Sequence, residues 1–363
     1  MVVSGMGRRM CIRPCAAVVA VLLVTGCAIH PVPEDVTGVD TYHIVRQIRC
    51  ETREAAAEFV LRELRRLGSD HEDQAADPVA QRLVAQYEAD PESISTFRPD
   101  LFPGPRYAQV RNLYSVIYSA AIAYNFDLTM SEENDLGTTI NLLGPWTPKF
   151  TLGLNADANR GRSNERSFTV TDTFSQLLMK LNMPVRGQRY CDGQIVQANY
   201  VYPIAGRIGV DKLVMTFFEL ALLGNLSADK AAPGAAGAPT IADKLTFITT
   251  IDGSATPKVV FNPVGAGFQL SDASLTGFAR RMDTHQVTVG LAVDATATAY
   301  LTSLRSYLFS RERSAPVAVR AGAAGRVLVA NSLTAQARTQ AEQLAVLAVD
   351  QLKSREVQLV TAR

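Results

Sequence analysis

The sequence predicts an α+β protein: an antiparallel β-sheet, sandwich-like or helix-covered, with N-terminal helices and a C-terminal helix. Three observations carry this. Side-chain character alternates with period two over residues 122–130, 150–158 and 287–293, as in half-buried strands. Apolar residues recur at helical spacing before residue 70 and after residue 330. The composition, 47% hydrophobic and 20% charged over 363 residues, is that of a globular chain rather than a disordered, collagen-like or disulfide-dense one. With 36 basic against 35 acidic residues, the charge balance gives no electrostatic reason for a nucleic-acid partner.

The chain opens with Arg8, Arg9 and Arg13 ahead of an uncharged, mostly apolar stretch, 16–25, that stops at Gly26-Cys27. This is the pattern of a signal peptide, residues 1–26. A stretch of about ten residues is half the roughly 20 that a helix needs to cross a bilayer, so a permanent transmembrane anchor fails on length. Val24-Thr25-Gly26-Cys27 resembles the lipobox of bacterial lipoproteins, a resemblance confined to these N-terminal residues. It implies that Cys27 becomes the first residue of the mature chain, carrying a thioether-linked diacylglyceryl group and an amide-linked acyl chain. Multiple chains make such an anchor stable, and the partner implied is a membrane. Ala28 stands where an Asp would resemble an inner-membrane retention signal, which favours the outer membrane and its periplasmic face.

Cys11 and Cys15 leave with the signal peptide, and Cys27 is spent on lipid. That leaves Cys50 and Cys191, two thiols in an oxidising compartment, able to close one disulfide. The loop so closed, about 140 residues, would stabilise by about 5 kcal/mol in the chain-entropy picture. The alternatives are two buried free thiols, or a catalytic thiol, although neither cysteine has a neighbouring His.

Residues 27–40, with Pro31, Pro33 and Gly38, read as a tether from lipid to fold. A helix follows, capped by Asp40 or Thr41, with Ile44, Ile48, Ala55, Phe59 and Leu64 along one stripe. Arg46, Arg49, Arg53, Arg62, Arg65 and Arg66 interleave with Glu51, Glu54, Glu58 and Glu63, which reads as a solvated helix face. Asp77-Pro78 starts a second helix that runs to about Glu88, and a proline-rich loop ends this helical region, 41–105.

Beyond Tyr107 the expected period is two, opening an antiparallel β region, 106–225. Within it Phe150–Ala158 and Phe168–Phe174 form a long hairpin with a charged tip. Arg160, Arg162 and Arg166 at that tip are candidate contacts for peptidoglycan carboxylates or lipid phosphates, against the plainer reading of a solvated loop. Thr139–Leu143 is an additional strand, and residues 211–224 are apolar nearly all round, hence a buried helix. An Ala/Gly/Pro linker or long loop, 226–240, precedes a second β region, 241–310, with a turn at Gly253. That region is either a second small domain or the remaining strands of the first. A C-terminal segment, 311–363, carries a helix over 332–353.

Strands of about ten alternating residues have the length of outer-membrane barrel strands. A single-chain barrel closes with a terminal strand, whereas this chain ends in a helix, so a water-soluble covered sheet is the expectation. No HExxH, GxSxG, Walker A, EF-hand or CxxC pattern occurs after Cys27, so the sequence nominates no catalytic residue, cofactor or metal site. Ser227-Ala-Asp-Lys230 has SxxK spacing but runs straight into the linker. Arg281, Asp283, Thr284 and His285 read as a polar turn entering a strand.

The function expected is a non-catalytic, lipid-anchored envelope lipoprotein that presents its β region to another envelope protein or to peptidoglycan. The alternative is a periplasmic hydrolase or carbohydrate-active enzyme using Asp127, Glu132, Glu133 or Asp157, which would need two carboxylates about 5–9.5 Å apart in one pocket.

Overall fold

A computed structural model describes residues 30–70, 75–144, 150–224, 226–227, 237–260, 269–309 and 339–361. The helices are α1 (Glu34–Thr37), α2 (Thr41–Gly68), α3 (Pro78–Ala89), α4 (Ala108–Ser119), α5 (Val210–Leu222), α6 (Thr298–Phe309) and α7 (Gln340–Thr361). The strands are β1 (Ala120–Leu143), β2 (Thr151–Thr173), β3 (Thr240–Ala255), β4 (Lys258–Val260) and β5 (Gln269–Val293). All pair antiparallel in one open sheet of order β2-β1-β5-β3, with β4 continuing the β3 edge along β5. The α+β sheet with N-terminal helices and a C-terminal helix is therefore as expected, and both β regions belong to that one sheet.

The caps act as the sequence requires. The Asp40 carboxylate accepts from the His43 N–H at 2.8 Å, and Asp77 accepts from Val79 and Ala80 with Pro78 at the first helical position. In the near half of the sheet the period-two pattern is satisfied by layers. On one face Ile122, Tyr124, Phe126, Leu128 and Met130 pack with Val287, Val289 and Leu291 beneath α2, α4 and α5. Phe126 stacks on Phe168 of β2 with ring centroids 4.8 Å apart. On the other face α7 lies against Ala123 and Ala292 through Leu344, Ala345 and Val349. It comes so close at Gly290 that a Cβ there would stand 2.2 Å from the Ala345 carbonyl oxygen. Lys353 of α7 donates to Asn125 and pairs with Asp127, both at 2.6 Å.

Several expectations are corrected. Residues 160–166 are not a hairpin tip: β2 is continuous from Thr151 to Thr173, because β1 is 24 residues long and pairs with it throughout. The polar run reads as a loop only because β2 is an edge strand, exposed on both faces over much of its length. Gly253 lies inside β3 rather than in a turn. The segment after Tyr107 is helix α4, not strand, since its Tyr114, Val116, Ile117 and Tyr118 are buried at helical spacing. Residues 30–40, read as a free tether, contain α1 and lie packed on the sheet. Residues 228–236, Lys230 included, and the predicted start of the last helix at Ser332 fall outside the described residues.

The charged side of α2 is a solvated face only in part: Glu54, Glu58, Arg65 and Arg66 are exposed, whereas Arg49, Glu51 and Arg53 are drawn into ties with other elements. Arg49 grips Asp172 of β2 with two hydrogen bonds, 2.7 and 2.6 Å, and donates to the Tyr190 hydroxyl. Arg53 donates to Glu92 at 2.8 Å. Glu51, fully buried, accepts from the N–H groups of Ile208, Gly209 and Val210 and so caps α5 from another helix. Burial pushes the Glu51 carboxyl above its usual range, against the pull of those three donors.

Candidate functional site

Along β5 the face that carries Leu291, Val289 and Val287 next presents His285, Asp283 and Arg281, so the apolar layer gives way to a polar one in mid-strand. Arg281–His285 is thus not a turn. Asp283 and His285 are both 1% exposed, beneath Tyr202 from the segment that precedes the turn Pro203–Ala205. The Tyr202 hydroxyl donates to Asp283 at 2.9 Å and contacts His285 Nε2, while His285 Nδ1 is buried without a partner. Burial lowers the His285 imidazole to about 4, so it is neutral at pH 7. Burial, and then Asp283, push the Tyr202 hydroxyl far above its ordinary value.

Arg281 links this cluster to two other parts of the chain. Its guanidinium holds Asp283 at 2.9 Å and Glu132 of β1 at 3.1 Å, and donates to the Val32 carbonyl at 2.7 Å. Burial alone would lower its pKa, but Asp283 and Glu132 outweigh that and raise it. Glu132 also takes Arg162 of β2 at 2.7 Å. Since Glu132 sits opposite both arginines in the ladder, Arg162, Glu132 and Arg281 form a charged row straight across three strands. Asn164 donates to the Pro31 carbonyl at 3.0 Å, and Arg166 to the Thr41 hydroxyl. The row therefore fastens the N-terminal segment onto the sheet at one level.

Beyond that row the strands continue, and among the described residues no helix covers them on either face. This distal half, here called the arm, includes residues 134–143 of β1, 151–160 of β2, 269–279 of β5, the end of β3 and β4. Its register sorts the side chains. One face carries Leu136, Leu152, Leu154, Leu275 and Val259, from 37% to 54% exposed. Asp135, Asp157, Asp272 and Lys258 all lie on the other, with Asn141 and Asn155 beside them; Leu143, Val260 and Phe278 are apolar exceptions there.

The nominated residues thus separate. Cys27 lies outside the described residues. Cys50 of α2 is bonded to Cys191, with Cα atoms 5.7 Å apart, and this link, together with Gln47 on Ile195, holds the long segment before α5 against α2. Arg160 stands opposite Asn134 at the foot of the arm, whereas Arg162 and Arg166 make the ties described above. The four carboxylates do not converge. Asp127 is held by Lys353 on the α7 face, Glu132 lies on the opposite face in its arginine row, Glu133 is exposed and Asp157 is far along the arm. Among the described residues no group of three His, Cys, Asp or Glu side chains is placed to hold a metal. Nothing in the local pattern of Tyr202 points to a strand 81 residues away in sequence; the oddity of Asp283 and His285 within an apolar alternation is the available signal.

Fold and site together define an α+β protein in which one long antiparallel sheet is half sheathed in helices and half bare, with the N-terminal segment bound where the two meet. The chain belongs to the y4kA family: the model described as "Uncharacterised protein y4kA" matches residues 30–359. It is 35% identical over 287 residues to the uncharacterized protein y4kA of Sinorhizobium fredii (strain NBRC 101917 / NGR234), covering 77% of this chain and 82% of that one.

Proposed function

We propose that this is a lipid-anchored lipoprotein of the bacterial cell envelope, held at the periplasmic face of the outer membrane and acting there in a structural or interaction role rather than as a catalyst. The observation that carries the reading is Val24-Thr25-Gly26-Cys27 closing a short apolar stretch behind three arginines. The Cys50–Cys191 bond fits an oxidising compartment. The closed character of the Tyr202–Asp283–His285 cluster supports a fastening role, because side chains shut off from solvent cannot meet a substrate. Among the described residues no helix is long and apolar enough to cross a membrane. The partners would be the membrane itself and, beyond it, another envelope component.

The test is the intact mass of the protein isolated from bacterial membranes, for wild type and Cys27→Ser. A chain that begins at Cys27 and carries the mass of acyl groups, lost in the variant, is the expected result. An unlipidated wild-type product in the soluble fraction would overturn it.

A further inference from the structure

We propose that the bare arm is a membrane-inserting element, and that copies of this chain join edge to edge through it to close an oligomeric β-barrel in the outer membrane. The inference rests on the envelope reading for its location, but its physical content is in the strands.

Side chains along the arm are sorted by face. Over about ten residues of β1, β2 and β5, the length a tilted strand needs to span hydrocarbon, and over β4 beside them, every charge but Arg160 at the foot lies on one face. Those charges are Asp135, Asp157, Asp272 and Lys258, while the other face is mainly aliphatic, with Thr138 along it and Asn134 and Arg160 at its foot. A sheet in water has no reason to keep an apolar face where nothing covers it, and a contiguous exposed apolar surface marks a contact still to be made. A sheet with lipid on one side and water on the other needs this arrangement. The segments that join the strands, 144–150 and 261–268, add a single charge, Lys149.

The sheet also has two open edges. A lone open sheet is not tolerated in lipid, because the unpaired N–H and C=O groups of its outer strands have no water to bond. Here those strands are β2 on one side and β3 with β4 on the other. Each neighbouring pair in the order β2-β1-β5-β3 is antiparallel, so β2 and β3 run in opposite directions. Setting β3 of one copy against β2 of the next therefore continues the antiparallel alternation without a break. A head-to-tail contact of this kind makes a ring when the rotation between copies closes, and in lipid only the closed ring leaves no edge unpaired. Four strands from each copy give an even-stranded barrel whose wall is apolar outside and whose lumen carries Asp135, Asp157 and Asp272.

The Val32 carbonyl is fixed to Arg281 and the Pro31 carbonyl to Asn164, at the level where the apolar band begins. Cys27 is four residues upstream of Pro31, within about 14 Å even for extended chain. Lipid on Cys27 would thus enter the membrane at the foot of the arm. Arg160, Arg162 and Arg281 would stand at headgroup depth.

The test uses the full chain purified in detergent and diluted into vesicles of phosphatidylethanolamine and phosphatidylglycerol loaded with a self-quenched dye. Wild type is expected to migrate as a multiple of the single chain and to release the dye. Leu154→Arg, on the apolar face, is expected to cut release at least tenfold while remaining lipidated and membrane-bound. Leu154 is half exposed in the single chain, so the change leaves the fold alone. Asn155→Lys, one residue away on the polar face, should keep release near wild type. A lipidated wild type that stays a single chain and releases nothing, or that copurifies with a second protein covering the arm, would overturn the proposal. So would equal release by the two variants. Failure of the envelope reading would show separately, as an unlipidated soluble product.

Discussion

The near and far halves of the same four strands are built from the same alternation and end in opposite circumstances. In the near half, Phe126 and Leu128 are fully buried beneath helices, whereas Leu136 and Leu154, on the same face further along, are 44% and 49% exposed. The change comes at the Arg162–Glu132–Arg281 row, where the N-terminal segment is also fastened. Period two therefore reports that one face of a strand avoids water; it does not say whether protein or lipid replaces the water.

The largest expected effect tests the near half. Phe126→Ala removes a ring packed on Phe168 and should destabilise the chain by about 3–5 kcal/mol in denaturant unfolding. Replacing Cys50 and Cys191 together by Ala should cost about 2–5 kcal/mol under non-reducing conditions, since the long segment before α5 then loses its covalent tie to α2.

A pH series examines the boundary. His285 has a folded pKa of about 4 against an unfolded value near 6.5, so the unfolded chain binds more protons between them. Stability should fall as pH drops from about 6.5 to 4, by up to about 3 kcal/mol, and be unaffected by this group above that window. His285→Leu should flatten that part of the profile. Gly290→Ala should cost about 1–3 kcal/mol by forcing α7 off the sheet. The smallest effect belongs to the arm: Leu152→Ala should change the stability of the isolated chain by less than about 0.5 kcal/mol. A loss at Leu152 comparable to that at Phe126 would mean that the arm is packed in the single chain and the contrast is wrong.

Much of the fold was legible in the sequence because its signals are local. The alternation at 122–130 and 287–293, the caps at Asp40 and Asp77 and the apolar run before Gly224 each reflect one element's own geometry. α4 was not legible: Val110, Tyr114, Val116, Ile117 and Tyr118 are β-branched or aromatic, and the helix runs into β1 without a break, so tertiary burial overrides local preference. The polar stretch 160–166 passed for a loop because an edge strand needs no apolar face. The buried ties of Arg49, Glu51 and Arg281 depend on partners far away in sequence, Asp172, the start of α5 and Val32, which no spacing rule reaches.

The most direct test of the account is hydrogen exchange of the full chain, alone in detergent-free buffer and in vesicles of phosphatidylethanolamine and phosphatidylglycerol. The backbone amides of the two open edges, 151–160 on β2 and 248–255 on β3, are expected to gain strong protection in vesicles while the helix-covered half is unchanged. Edge amides that exchange equally fast in both conditions would contradict it.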